Sequence, residues 1–351
     1  MKLDPHLETR NGTFETKIRK VALQIKDVAR AAGVSHQTVS RVVNNHPNVS
    51  ELTRARVLSA ITELNYHPNL TARNLRTGEK TTILVLAPEP MDYGSLMALE
   101  GVEATARRAG LFLLLRGFQV GTPSRAIEQK LLELSGQSLV GAIILDLQLH
   151  ETALERLSLG VPVVTLTDRN GSGHAWERRG VALGVEHLVQ QGHRRIGYLS
   201  GPNGRLVSDA MKAGWHQAME AAGLDSSAVI EGDLSAQSGY ITGCDLARSR
   251  ELTGVVAAND QMALGLLNGL QVNGIHIPQE MSVVGLNDQP GAKYFSPPLT
   301  TVRPDLAALG SICAEVLISA GPHQVTGQTT PQSILIVRDS SGPPARNPTG
   351  S

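Results

Sequence analysis

An α/β fold is predicted, with a small all-helical module ahead of two lobes of doubly wound parallel sheet. Length is the first observation: 351 residues exceed one ordinary domain of roughly 100–150 residues and leave room for two or three folding units. The second is a change of pattern near residue 81, from short helical stripes to apolar strand runs alternating with amphipathic stretches. The third is charge. Residues 20–80 hold nine Lys/Arg against four acids, net +5, whereas residues 81–351 hold 19 against 25, net −6, in a chain whose formal total is zero. A basic module on an acidic body points to a polyanionic partner for the module alone.

Taken in order, residues 1–22 are polar, without a sustained apolar period, and read as a flexible leader. Asp4, Glu8, Glu15, Lys17 and Arg19 interrupt any apolar block there, so no secretory signal is expected. Three short helices follow. One runs from about Ile25 to Ala32 and stops at Gly33. The next opens at Ser35, whose hydroxyl can cap free amides, and carries Val39, Val42 and Val43 at helical spacing. The third opens at Ser50, has Glu51 in its first turn, and sets Val57, Ile61 and Leu64 on one face. Such stripes close a core of about forty residues, near the lower limit for independent stability. After Pro68, residues 69–76 form one short potential helix. Helices below about 12–15 residues are marginal in water, so this one is expected to order with a partner.

Strand runs then recur at Thr82–Ala87, Leu111–Arg116, Val140–Leu145, Pro162–Leu166, Arg195–Ser200, Gly254–Ala258, Ser282–Leu286 and Ile334–Val337. Between them lie stretches such as Met97–Ala109, Gly180–Gln190, Asp209–Ala222 and Met262–Asn273. This βαβ alternation argues for parallel sheets covered by helices, in two lobes rather than one. The tail after Asp339 is Pro, Gly, Ser and Asn without a leucine heptad, and reads as disordered rather than coiled. With no run of about 18 apolar residues, no membrane span is expected. Cys244 and Cys313 are too few for a disulfide framework or a cysteine zinc site, which suits a reducing cytoplasm.

The string IKDVARAAGVSHQTVSRVVNN, from Ile25 onward, carries the most chemistry. A helix, a turn at Gly33 and a second helix bearing His36, Gln37, Thr38, Ser40 and Arg41 make a helix-turn-helix. Glutamine and arginine have the fork geometry to pair with adenine and guanine edges, and hydroxyls suit phosphates. In the body, polar residues just after strand runs mark a cleft where a hydroxyl-rich molecule could be held: Asp146, Asp168, Asn259 with Asp260, and Asn287 with Asp288. For Asp260 a helix-capping role competes with binding. Enzyme signatures are missing: no G-x-G-x-x-G after a strand, no G-x-S-x-G elbow, no P-loop and no H-E-x-x-H pair. Neither catalysis, nor a cofactor, nor a metal is expected.

Together with VSELTRARVLSAITELNYHPNLTARNLRTG, that string resembles the LacI/GalR (lac repressor) family of transcription regulators, and likeness continues through GVEHLVQQGHRRIGYLSGP, AANDQMALG and SVVGLND, covering residues 24 to about 340. The resemblance implies a helix-turn-helix DNA-binding domain at 23–68, a hinge helix and linker at 69–80, and a two-lobed periplasmic-binding-protein-like core at 81–340. Lobe 1 would take about 81–175 and 305–333, lobe 2 about 176–304 and 334–340, leaving 341–351 as a disordered tail.

By the same resemblance His36, Gln37 and Arg41 read bases. Ser35, Thr38, Ser40, Asn44, Ser50 and Thr53 touch or flank phosphate. Ile25 and Tyr66 match positions near the duplex, although both also suit the small core. In the hinge Asn69, Ala72 and Leu75 match minor-groove positions, Leu75 as a wedge between base pairs. The implied partners are a pseudo-palindromic operator duplex with a central CG step, a second copy of the chain, and a small effector. Effector positions are Asp146, Met211, Leu234, Asn259 and Asn287, and three depart from the family pattern. Met211 stands four residues before Trp215 where arginine is common, Leu234 where a tryptophan could stack on a sugar, and Asn287 where an aspartate occurs. A more apolar, less charged pocket is therefore expected. The implied function is a cytoplasmic repressor of a carbohydrate-utilisation operon, nucleoid-associated when bound and released by a sugar-like molecule. A corepressor-responsive, purine-repressor-like regulator is the alternative.

Overall fold

The computed structural model describes residues 23–43, 46–66, 80–89, 91–119, 122–133, 138–145, 161–166, 175–319 and 332–345. The expected leader and hinge, with Asn44, Asn69, Ala72, Leu75, Asp146 and Asp168, lie outside the described residues. The chain divides into two compact units, Met1–Thr77 and Gly78–Ser351.

The first unit holds α1 (Ile25–Ala32), α2 (His36–Val43) and α3 (Glu51–Glu63). Asp27 folds back to accept the Gln24 amide at 2.9 Å, starting α1. Gly33 ends it at φ 63°, a left-handed value that favours glycine. One device opens both later helices. Ser35 accepts from the Thr38 amide and shares a hydroxyl contact of 3.0 Å with it. Ser50 accepts from the Thr53 amide and donates to its hydroxyl at 2.9 Å. Val28, Val39, Val42, Val57 and Ala60 are buried together, with Ile25, Ile61, Leu64 and Tyr66 packed around them.

In the second unit β1 (Thr82–Glu89), β2 (Phe112–Gln119), β3 (Leu139–Ile144) and β4 (Val163–Thr165) form a parallel sheet in the order β2-β1-β3-β4. Helices α4 (Tyr93–Arg108) and α5 (Ser124–Glu133) connect its strands. The other lobe continues with α6 (Ala175–Gln190), β5 (Ile196–Ser200), α7 (Leu206–Ala221), β6 (Val229–Glu231), α8 (Ala236–Ser249), β7 (Gly254–Ala257), α9 (Asp260–Val272), β8 (Ser282–Leu286) and β9 (Thr300–Pro304). The chain then returns to the first lobe as α10 (Leu306–Ser319), packed on α4, and closes the second sheet as β10 (Ser333–Ile336). That sheet runs β10-β9-β8-β7-β5-β6, parallel except for β10 against β9. No described helix is long and apolar enough to cross a membrane.

Three helix pairs touch backbone to backbone; in one, a Cβ added to Gly214 of α7 would lie 2.5 Å from the Arg178 carbonyl of α6. A Cβ added to Gly265 of α9 would lie 1.8 Å from the Ala236 carbonyl of α8, and one on Gly239 would lie 2.0 Å from the Met262 carbonyl. Gly243 and Gly269 continue the same seam. Gly101 of α4 and Gly310 of α10 interlock likewise, each 1.9 Å from a carbonyl of the other helix.

The structure departs from expectation in the tail. Residues 340–345 are not loose but strapped across lobe 2. Ser340 is fully buried; its amide donates to the Pro298 carbonyl and its hydroxyl to the Val283 carbonyl. Ser341 meets His187 Nε2 at 2.8 Å, the Gly342 carbonyl lies 2.9 Å from His193 Nε2, and the Ala345 amide reaches the Gln279 carbonyl. Composition suggested disorder because small polar residues bury little apolar surface; here hydrogen bonds to distant partners do the ordering.

Burial holds His187 below the ordinary imidazole value, His193 nearby lowering it further. Burial does the same for His193, against the Gly342 carbonyl, which raises it. The fold therefore prefers both neutral. Their contribution is full above about pH 6.5, the unfolded value, and is lost as pH falls through the depressed folded values. Thermal melts between pH 5 and 8 should fall on the acid side, and His187→Gln should flatten that limb. An equally steep limb in the variant would remove His187 from the account.

Candidate functional site

Each unit carries one candidate surface. In the first, α2 turns Val39 and Val42 into the core and leaves His36, Gln37 and Arg41 exposed on the other side. Ser35 and Ser50 are exposed at the starts of α2 and α3, each cross-linked to the threonine three residues on, so helix start and hydroxyl are positioned as one piece. Helix N-termini present free amides to anions. Arg54 donates to the His46 carbonyl at 2.9 Å, tying the segment before α3 to that helix. Thr38, Ser40 and Thr53 are half-buried, and Ile25 packs on the small core.

In the second unit a cavity of about 660 Å³ lies between the lobes. Tyr93 and Met97 of α4 and Leu306 and Ala307 of α10 line one wall; Asn287, Asp288 and Gln289, just after β8, line the other with Arg303 and Arg338. Asn287 and Asp288 are consecutive left-handed residues, φ 99° and 45°. Non-glycine residues in that region carry strain, which recurs at functional sites. Asp288 is held by Arg303, whose Nε donates at 2.8 Å, and by Arg338, whose Nη2 donates at 2.7 Å.

Asp260, almost wholly buried, accepts from the Thr301 hydroxyl at 2.6 Å and the Gln289 amide at 2.7 Å. Burial pushes its carboxyl up to about 7, against those two hydrogen bonds. Four segments of lobe 2 thus converge on two carboxylates. Burial, with Asp288 next, raises the Tyr93 phenol.

Of the described cleft candidates, this cavity brings in Asn287 and Asp288 and leaves out Met211, Leu234, Asn259 and Asp260. Asn259 caps α9: its Oδ1 accepts from the Met262 amide at 2.7 Å, and its Nδ2 donates to the Leu234 carbonyl at 3.0 Å. The helix-capping role weighed against binding for Asp260 is thus filled by its neighbour. Met211 is buried in the lobe 2 core beside Trp215, and Leu234, at φ 71°, packs against that core. The two apolar replacements therefore face inward rather than walling this cavity. Sequence reasoning missed Tyr93, Arg303 and Arg338, for which no local pattern signals convergence. Among the described residues no cluster of His, Cys, Asp or Glu could hold a metal ion.

Comparison with known proteins covers both units. Residues 24–69 match the family described as bacterial regulatory proteins, lacI family, and residues 185–341 match a periplasmic binding protein-like domain. The chain is 33% identical over 319 residues to the HTH-type transcriptional regulator GalR of Escherichia coli (strain K12), covering 87% of this chain and 91% of that protein. It is 32% identical over 304 residues to the HTH-type transcriptional repressor PurR of Vibrio parahaemolyticus serotype O3:K6 (strain RIMD 2210633), covering 84% and 90%. Among solved structures, the lac repressor dimer bound to operator and the anti-inducer ONPF superposes with a TM-score of 0.81 at 29% identity, over 91% of this chain and 99% of that one. An exposed recognition helix and a two-lobed cleft, joined to likeness over nearly the whole length, make this chain a member of the lacI family of bacterial regulatory proteins, a DNA-binding transcriptional regulator.

Proposed function

We propose that this regulator is a homodimeric repressor that reads a pseudo-palindromic operator with a central CG step and leaves it when a small sugar-like molecule occupies the cleft. The observation that carries this reading is α2: His36, Gln37 and Arg41 stand exposed on a helix whose opposite face is core. Ser35, Thr38, Ser40, Asn44, Ser50 and Thr53 would touch or flank phosphate, with Ile25 close to the duplex. Asn69, Ala72 and Leu75 would meet the minor groove, Leu75 as its wedge. Exposed Leu96, Phe112 and Leu115 of lobe 1 and Tyr240, Ile241 and Leu264 of lobe 2 supply apolar surface for the second copy. In the cleft Asn287 would contact the effector, with Asp146, Asn259, Met211 and Leu234 completing the site once the last three exchange present partners. The protein so read works by binding, without catalysis or cofactor, in the cytoplasm and on the nucleoid when operator-bound.

Fluorescence anisotropy with labelled operator tests the DNA half. Arg41→Ala should weaken specific binding by about 1–3 kcal/mol, roughly 5- to 150-fold, and relax preference at one base position. Equal weakening on every sequence would mean that Arg41 meets phosphate only. The likeness to PurR supports the second reading, a corepressor. Calorimetry with sugars and purines separates the two, because coupling is reciprocal. An inducer binds the operator complex more weakly than the free protein, and a corepressor binds it more tightly.

A further inference from the structure

Lobe 2 has a second cavity on the far side of its sheet. β5, β7 and β8 run parallel, with Asn259 and Asn287 just beyond the C-terminal ends of β7 and β8. The opposite ends begin after Arg195, Thr253 and Met281, and these residues line a pocket of about 320 Å³. Small-molecule sites range over roughly 300–1,000 Å³. The pocket's floor is apolar, with Leu246, Ile275 and Met281 buried, and Pro344 of the C-terminal strap closes one side.

Its rim is cationic. Arg194, Arg195 and Arg250 surround a single carboxylate, Glu280. Arg250 donates to Glu280 Oε1 at 3.0 Å, while Glu280 Oε2 accepts the His276 amide at 2.8 Å and lies 2.7 Å from its Nδ1. One guanidinium is therefore braced in place. Arg194 and Arg195 form no ion pair among the described residues and point their charge at solvent or at whatever enters. Arg250 also stands at φ 53°, one residue past the end of α8, where glycine is the usual choice. That strained backbone is one more feature that sets Arg250 apart on the rim.

We propose that this pocket binds a small amphipathic anion: a carboxylate, sulfonate or phosphate on an apolar body. The anionic group pairs with the braced Arg250 fork and draws in Arg194 and Arg195, since guanidinium matches such groups in two-point hydrogen bonds. The apolar body covers Leu246, Ile275 and Met281. Two uncompensated positive charges around a concave apolar floor favour this class over neutral sugars or cations.

The test uses the full-length protein and the aryl sulfonate 8-anilinonaphthalene-1-sulfonate, followed by fluorescence. A saturable component is expected. Arg194→Ala with Arg195→Ala should weaken it at least tenfold. Arg250→Gly should weaken it similarly while leaving the melting temperature unchanged, because that backbone suits glycine. Arg125→Ala, which removes an exposed arginine of lobe 1, should leave it intact. The neutral probe N-phenyl-1-naphthylamine should bind wild type and arginine variants alike. The proposal is overturned if no saturable component exists, if the rim variants bind the sulfonate as wild type does, or if Arg125→Ala weakens it equally.

Discussion

Gly265→Ala should destabilise lobe 2 by about 3 kcal/mol, the upper end of ordinary overpacking. The added methyl would sit 1.8 Å from the Ala236 carbonyl oxygen and 2.7 Å from the Tyr240 amide nitrogen. Both are backbone atoms of α8, so no side-chain rotation relieves the clash. The helices must part, and parting them loosens Met262, Leu266 and Leu270, all but completely buried on α9. For a domain of 150–250 residues, about 3 kcal/mol lowers the melting temperature by roughly 6–12 °C. Gly291→Ala is the control: its new methyl would meet only Phe295 Cε1, at 3.5 Å, an ordinary contact. If Gly265→Ala melts with that control, the α8–α9 seam is softer than described.

Asp288→Ala should cost a similar amount, about 3 kcal/mol, by a different route. Its carboxylate side chain is 6% exposed and is shared by Arg338, 17% exposed, and Arg303, 52% exposed. Removing one partner of a buried pair costs roughly 3–5 kcal/mol, because the other charge is stranded. Arg303 can rehydrate and Arg338 cannot, which sets the expectation near the lower bound. Denaturant unfolding of Asp288→Ala, Arg338→Met and the double variant closes a cycle. The double variant should be clearly less damaged than the sum of the singles, and strict additivity would mean that the two side chains do not depend on each other.

Local chemistry made the first unit readable. Ser35 and Ser50 each precede a run of helical period and cap it as hydroxyls do, and Val39, Val42 and Val57 became core at the spacing that announced them. In the second unit the eight apolar strand runs recur, with ends shifted by a few residues. β6 and β9 were not foreseen. Val229–Glu231 has three residues, and Thr300–Pro304 opens on two threonines that are buried because neighbours satisfy their hydroxyls. The site was less legible. Asn259, read as a ligand contact, also caps α9: its side-chain oxygen accepts from the Met262 amide three residues on, a role that its place after a strand run does not separate from binding. Tyr93, Arg303 and Arg338 come from segments far apart in the chain and meet only through the fold.

The return of α10 to the first lobe and of β10 with its strap to the second sets an order of events during synthesis. The three-helix unit is complete once Tyr66 has emerged, whereas lobe 2 lacks its edge strand until Ile336, roughly 270 residues later. At a translation rate of about 5–20 residues per second that interval lasts roughly 13–54 s. Throughout it a basic, already folded reader precedes a sheet that cannot yet close. The DNA-binding unit can thus meet polyanions before the second sheet has its edge strand.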